Sequence, residues 1–308
     1  MRVAIRAVNG FVNIFVLMVI LLILALGCYA IWDSAQITHA ASSARYEQYR
    51  PTAEDDGASF AYLQAINPDV FAWLTVYGTN INYPVVQGRD NVRYVNTSAE
   101  GRHSLSGAIF LDHRNTPDFA DFSSILYGHH MENRTMFGEI GMFTNQDYFN
   151  ARRHGTLYYD GQEYGLDFFA FLHVDAHNHQ VFRVNITEQE AQRAYLDLLM
   201  DMAMHTNDDV VITTDDRIVL LSTCSPNSTN GRDILIGKIT ENIRANPFEA
   251  EREAGTMALP INIPMIDTLP GLWAQISNWA KIAIAALVFV LILLGGILIY
   301  KKKRRSLR

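Results

Sequence analysis

Two long apolar runs, one near each end, limit what this chain can become. Residues 11–32 are apolar except for Asn13, and residues 282–300 carry no charge. Each is close to the roughly 20 residues that a helix needs to cross a bilayer. Arg2 and Arg6 precede the first run, while Lys301, Lys302, Lys303, Arg304, Arg305 and Arg308 follow the second. The positive-inside rule then places the N-terminal 1–10 and the basic tail 301–308 in the cytoplasm, with everything between the runs outside. A cleaved signal peptide is the alternative for the first run. Its apolar stretch is longer than a signal core and no Ala-x-Ala site follows it, so an uncleaved anchor is expected. Ala25-Leu26-Gly27-Cys28 is a poor lipobox, and Cys28 reads as a small apolar residue inside the span.

The portion between the runs, about 33–280, is long enough for one domain with a full core. Outside the spans 16 basic residues stand against all 32 acidic ones, a formal charge of −16. Such a field repels phosphate backbones and argues against nucleic acid as a partner. The sequence has two cysteines, and one lies in a span. Cys224 therefore has no intramolecular partner outside, in a compartment where thiols tend to oxidise. It is either a buried, inert thiol or one kept for chemistry, and composition leaves both open.

Hydrophobic patterning divides the middle of the chain. Residues 33–66 are polar and rich in Ala, Tyr and Gln, which predicts one or two helices leading from the membrane. From residue 67 short strand-like runs recur at 71–76, 81–86, 108–111, 124–127, 156–159 and 166–174, with Gly, Asn and Asp between them. That spacing predicts a mostly β barrel or sandwich over 67–245. One helix interrupts it at 187–204. Thr187-Glu188-Gln189-Glu190 has the form of a capping box, and Ala191, Ala194, Tyr195, Leu198, Leu199 and Met202 follow at helical spacing. Residues 246–281 hold Pro247, Pro260, Pro264 and Pro270 and read as a linker to the second run.

The chemistry concentrates in two strand ends. Ile218-Val219-Leu220-Leu221-Ser222-Thr223-Cys224 is a buried-strand pattern that ends in the thiol. After a polar loop, Gly231-Arg232 opens a second strand-like run through Ile239. A hairpin of this kind sets Cys224 beside Arg232 on one sheet edge. A thiol next to a fixed guanidinium suits acyl transfer, which needs a nucleophile and a cation where the oxyanion develops. Such a thiol also needs a histidine to exchange protons with. Ten histidines are available and spacing alone does not choose among them.

Several segments in order carry a family resemblance. They are Trp73-Leu74, then Gly78 to Gly88 as GTNINYPVVQG, Ile109-Phe110-Leu111-Asp112 with Arg114-Asn115, Tyr127-Gly128-His129, Thr135-Met136-Phe137-Gly138, Leu221-Ser222-Thr223-Cys224 and Gly231-Arg232. The chain resembles the sortases, membrane-bound cysteine transpeptidases of Gram-positive bacteria, and class B most closely, from about 67 to 239. The resemblance implies a closed eight-stranded β-barrel with peripheral helices, here flanked by two transmembrane helices. It implies thiol-protease-like chemistry in which Cys224 attacks the Thr–Gly bond of an LPxTG-like sorting signal. His129 would serve as proton donor and then base, and Arg232 would steady the carbonyl or oxyanion.

By the same resemblance Ser222, Thr223, Asn82 and Val86 would contact the signal, and Val181 and Phe182 would lie in a specificity loop. Asp112 orients active-site groups or stabilises a turn. His130 reads as a neighbour of the catalytic histidine. His173, His177 and His179 hint at a metal by spacing, but no carboxylate or cysteine is evidently arranged around them. No metal and no cofactor are expected. Implied partners are surface proteins or pilins bearing sorting signals, the membrane, and an acceptor amine from a peptidoglycan precursor. A pilin polymerase using a pilin lysine is the alternative, because the second span and basic tail resemble class C pilus-building members. Their Asp-Pro-aromatic lid motif has no match at Asn67-Pro68-Asp69-Val70. A non-catalytic membrane-tethered scaffold on the same fold is the alternative from another functional class.

Overall fold

The computed structural model describes residues 2–52, 57–131, 133–224 and 230–249. The expected second span, its basic tail and most of the 246–281 linker lie outside them. Helix α1 (Arg2–Ala41) runs unbroken for 40 residues, nine beyond the end of the apolar run. Its Val8–Ala41 portion is long and apolar enough to cross a membrane, as a span or a signal sequence would be.

The remaining described residues form a barrel with helices around it. Short 3-10 turns at Ser43–Arg45 and Glu47–Tyr49 lead into α2 (Ala58–Ile66). The strands are β1 (Val70–Val76), β2 (Asn82–Val86), β3 (Ile109–Leu111), β4 (Ser123–Tyr127), β5 (His154–Tyr159), β6 (Gln162–Asp175), β7 (Ala203–Thr206), β8 (Arg217–Cys224) and β9 (Gly231–Thr240). They pair in the order β5-β1-β2-β3-β4-β8-β9-β6, and β6 pairs back with β5. Eight strands therefore close the ring, as expected, which leaves no open edge among them. β7 adds a ninth strand that pairs with β6 outside the ring.

Strand alternation divides the core into two layers. Phe168, Phe171, Val219, Leu221 and Leu235 belong to the cluster that fills the barrel. Leu172, Ile218, Leu220, Ile234 and Ile236 belong to a second cluster on the outer face. Helix α4 (Gln189–Met202) covers that second cluster with Tyr195, Leu196 and Leu199. The expected capping box does not form: α4 begins at Gln189, and its N-cap Glu188 makes no side-chain capping bond. Instead Gln192 Nε2 donates to the Ile186 carbonyl at 2.9 Å, and the Tyr195 hydroxyl donates to Val181 at 2.6 Å. These bonds bind the segment before the helix to its second turn. The helix ends at Met202 because Ala203 turns extended (φ −67°, ψ 130°) and starts β7, so the 187–204 expectation overruns into a strand.

Candidate active site

The pairing of three strands gathers the candidate residues. In the antiparallel β8–β9 pair Cys224 lies directly opposite Arg232. In the parallel β4–β8 pair Tyr127 lies beside Ser222, and the Gly128 N–H extends the ladder to the Ser222 carbonyl at 3.2 Å. His129 thus leaves the end of β4 next to the end of β8. Alternation makes the outer face theirs. Leu220 faces the outer cluster and Leu221 the barrel interior, so Ser222 and Cys224 face outward while Thr223 and Asp233 face inward.

These groups share one open cavity of about 290 Å³, lined by Asn91, Val95, Phe110, Tyr127, Gly128, His129, Ser222, Thr223, Cys224 and Arg232. The Cys224 thiol is exposed within it. The Arg232 guanidinium donates to the Gly231 carbonyl at 3.1 Å. Among the described residues no carboxylate lies within ion-pair distance of Arg232, so its charge is not neutralised by a salt bridge there.

The His129 ring is held by the backbone. Its Nε2 lies 2.8 Å from the Val95 carbonyl, at the end of a 3-10 turn at Arg93–Val95. A carbonyl only accepts, so Nε2 carries the proton and Nδ1 is the nitrogen left to take one up or give one away. Gly128 is required for this approach. A Cβ there would sit 2.5 Å from Ile109 Cδ1 and 2.7 Å from the Phe137 ring.

A second network backs the cavity wall. Asp112 is fully buried and takes bonds from Arg114 Nε (2.9 Å), Arg114 Nη2 (2.8 Å) and the Tyr127 hydroxyl (3.1 Å). Burial acts to raise its carboxyl, but the hydrogen bonds and charge of Arg114 outweigh it and hold it at about 2. Burial and then the Asp112 charge push the Tyr127 phenol up, so it stays a donor. The Tyr127 ring stacks on Phe182 at 6.5 Å between centroids.

The expected residues divide on this geometry. Cys224, His129, Arg232, Ser222 and Thr223 come together at the cavity, and Phe182 lies beside it through Tyr127. Ser222 Oγ and Thr223 Oγ1 are buried and have no hydrogen-bond partner among the described residues. Asn82, Val86 and Val181 do not line the cavity. Asn82 is buried and fixed by Trp73 (2.8 Å), Thr75 (3.1 Å) and Glu47 (2.6 Å). Val86 is fully buried next to the cavity residue Phe110, its partner across β2 and β3, and Val181 lies under α4. His173 pairs with Asp233 at 2.7 Å and His177 with Asp175 at 3.0 Å, and no cluster of three or more metal-ligating side chains occurs among the described residues. The lining residues Asn91 and Val95 were not singled out from the sequence, and Phe110 figured there only within a family segment and not as a site residue. Val95 contributes a main-chain carbonyl, which no side-chain pattern reveals.

Comparison with known proteins agrees with this architecture. Residues 74–240 match the sortase domain family model. Sortase B of Staphylococcus aureus (strain NCTC 8325 / PS 47) is 32% identical over 184 residues, which is 58% of this chain and 74% of that protein. The crystal structure of sortase B from the type II pilus of Streptococcus pneumoniae is 46% identical, with a TM-score of 0.53, and covers 59% of this chain and 99% of its own. A Streptococcus pyogenes class B sortase involved in pilus biogenesis is 39% identical, with a TM-score of 0.54, over 60% of this chain and 99% of its own. With a family match over more than half its length, the barrel that brings Cys224, His129 and Arg232 to one cavity belongs to the sortase family of cysteine transpeptidases, and it groups with the class B members.

Proposed function

We propose that this chain is a membrane-anchored transpeptidase that cleaves an LPxTG-like sorting signal and transfers the protein to an amine. The observation that carries the reading is the convergence of Cys224, Arg232 and His129 on one exposed cavity. The Cys224 thiolate attacks the carbonyl carbon of the signal's threonine, and the oxyanion develops beside Arg232. Collapse breaks the Thr–Gly bond, and the departing glycine nitrogen takes its proton from His129 Nδ1. A thioester between Cys224 and the threonine remains. The acceptor amine attacks that thioester, gives its proton back to Nδ1, and restores the thiolate. Ser222 and Thr223 contact the signal, and Phe182 forms the far wall.

The membrane arrangement belongs to the same reading: two spans at 11–32 and 282–300, both termini cytoplasmic, and the domain at 67–245 outside the cell. For the acceptor, a peptidoglycan precursor amine would make it a wall-anchoring enzyme. A pilin lysine is the second reading, supported by the higher identity to the two pilus-system sortases than to the Staphylococcus aureus protein. The test takes the full chain in detergent with quenched sorting-signal peptides and, in parallel, oligoglycine, a diaminopimelate-type amine and a pilin lysine peptide. Cleavage lost in Cys224→Ala establishes the transpeptidase, and the preferred amine identifies the acceptor. No cleavage, together with a Cys224 inert to an alkylating probe, refutes it in favour of a scaffold.

A further inference from the structure

Tyr83 is buried on β2, 1% exposed, yet its hydroxyl is used from both sides. It donates to the carbonyl of Ala41, the last residue of α1, at 2.8 Å. It accepts the backbone N–H of Met136 at 2.9 Å. Met136 pairs by a β-bridge with His130, and the next amide, that of Phe137, donates to the His129 carbonyl at 3.0 Å. A short hydrogen-bonded path therefore joins the end of the apolar helix to the backbone of His129.

Backbone conformation gives a second, independent observation. Met136 has φ 54°, in the left-handed region, although it is not glycine and is 2% exposed. Such a conformation is disfavoured for a residue with a side chain and persists where the surroundings hold it. The Tyr83 hydroxyl provides that hold by occupying an N–H that would otherwise be buried and unpaired. Tyr46, just past α1, packs edge-on against the Tyr83 ring at 6.2 Å. None of the lining residues on β8 and β9 takes part in these bonds.

We propose that Tyr83 is a positioning residue that couples the end of α1 to His129, so that the junction between anchor and barrel helps set the imidazole for proton transfer. The proposal rests on His129 being the proton-transfer group of the function proposed above. Its consequence is a split between binding and turnover: displacing the His129 backbone slows the chemistry while the signal still meets Cys224, Arg232 and Phe182.

The experiment uses the full chain in detergent with a cleavable sorting-signal peptide and two variants. Tyr83→Phe removes the hydroxyl and keeps the ring. Ser42→Pro leaves Tyr83 intact and turns the Ala41 carbonyl away, because a residue preceding proline is pushed out of the helical region. Ser42 already has φ −70°, which proline adopts. We expect kcat to fall about ten- to a hundredfold while KM stays within about twofold, the scale set by small misplacements of reacting groups. Amide exchange over 129–137 should quicken in both variants. Folded variants with unchanged kcat would overturn the proposal. So would a kcat loss accompanied by a proportionate rise in KM and unchanged exchange over 129–137. Absence of Cys224-dependent turnover in the parent protein refutes the transpeptidase reading alone, and the exchange data then decide the coupling.

Discussion

Gly128→Ala is the substitution whose effect follows most directly from the geometry. Gly128 sits between the end of β4 and His129, and the space beside its Cα is filled. A new Cβ would meet Ile109 Cδ1 at 2.5 Å and the Phe137 ring at 2.7 and 2.8 Å. Carbon atoms in contact prefer about 3.5–4.0 Å, so each approach overlaps by about 1 Å. Ile109 is 1% exposed and Phe137 is fully buried, so neither can swing into solvent. Overpacking of this kind costs roughly 1–3 kcal/mol. In a folded unit of this size that is a fall in Tm of about 2–4 °C per kcal/mol. The backbone relieves the strain by moving outward, which carries His129 with it and lowers kcat beyond what stability explains. Adding Ile109→Val removes Cδ1 and should restore part of the Tm, but not all of it, because the Phe137 ring remains. The assays are thermal melting and peptide cleavage on the same preparations. A Gly128→Ala protein that melts and turns over like its parent would refute the reasoning.

Other expectations follow from single groups. Asp112, held at about 2 by Arg114 against its own burial, has a folded pKa below the unfolded one. It therefore contributes stability above an unfolded pKa of about 4, worth roughly 2–3 kcal/mol, and loses it as pH falls through about 2. Urea unfolding should show Asp112→Asn less stable at pH 6, with the gap closing toward pH 2. Glu139 has the opposite sign: burial raises its carboxyl even though the Asn80 N–H is bonded to it. Its stabilising effect is present at low pH and declines as pH rises through the raised folded pKa, so Glu139→Gln should raise Tm at pH 8 and change it little at pH 4. Arg232→Lys keeps a charge but loses the planar fork that holds an oxyanion, and kcat in the peptide assay should fall about a hundredfold with native melting.

The ring strands were legible as apolar runs set off by turn residues, although β6 begins at Gln162, four residues before the run that marked it, and the Cys224–Arg232 pairing followed from two such runs and a loop. β7 was not legible. Ala203 to Thr206 continues directly from α4 with no Gly or Pro between, and only the extended backbone of Ala203 marks the change. Helix α3 (Gln146–Ala151) is too short to show apolar periodicity; its one signal is Asn145, whose side chain accepts the Tyr148 N–H. Asn82 and Val86 were expected beside the signal, yet all five residues of β2 are buried. Asn82 is bonded on one side of that strand by Trp73, Thr75 and Glu47, while its neighbour Tyr83 points to the other side and packs against Tyr46. A polar residue in such a strand reads as exposed in sequence and is in fact a buried bonding partner. The cavity's inner side was illegible for another reason, since its contact with His129 is made by a peptide group.

That contact has a genetic consequence. The imidazole tautomer is set by an oxygen that every amino acid at position 95 would supply. A library covering all substitutions there would register side-chain packing alone, and a tolerant result would say nothing about the importance of the bond. The orienting partner of His129 is hidden from mutational scanning, and a backbone-altering replacement, such as an ester in place of the amide that carries this carbonyl, is the change that would reveal it.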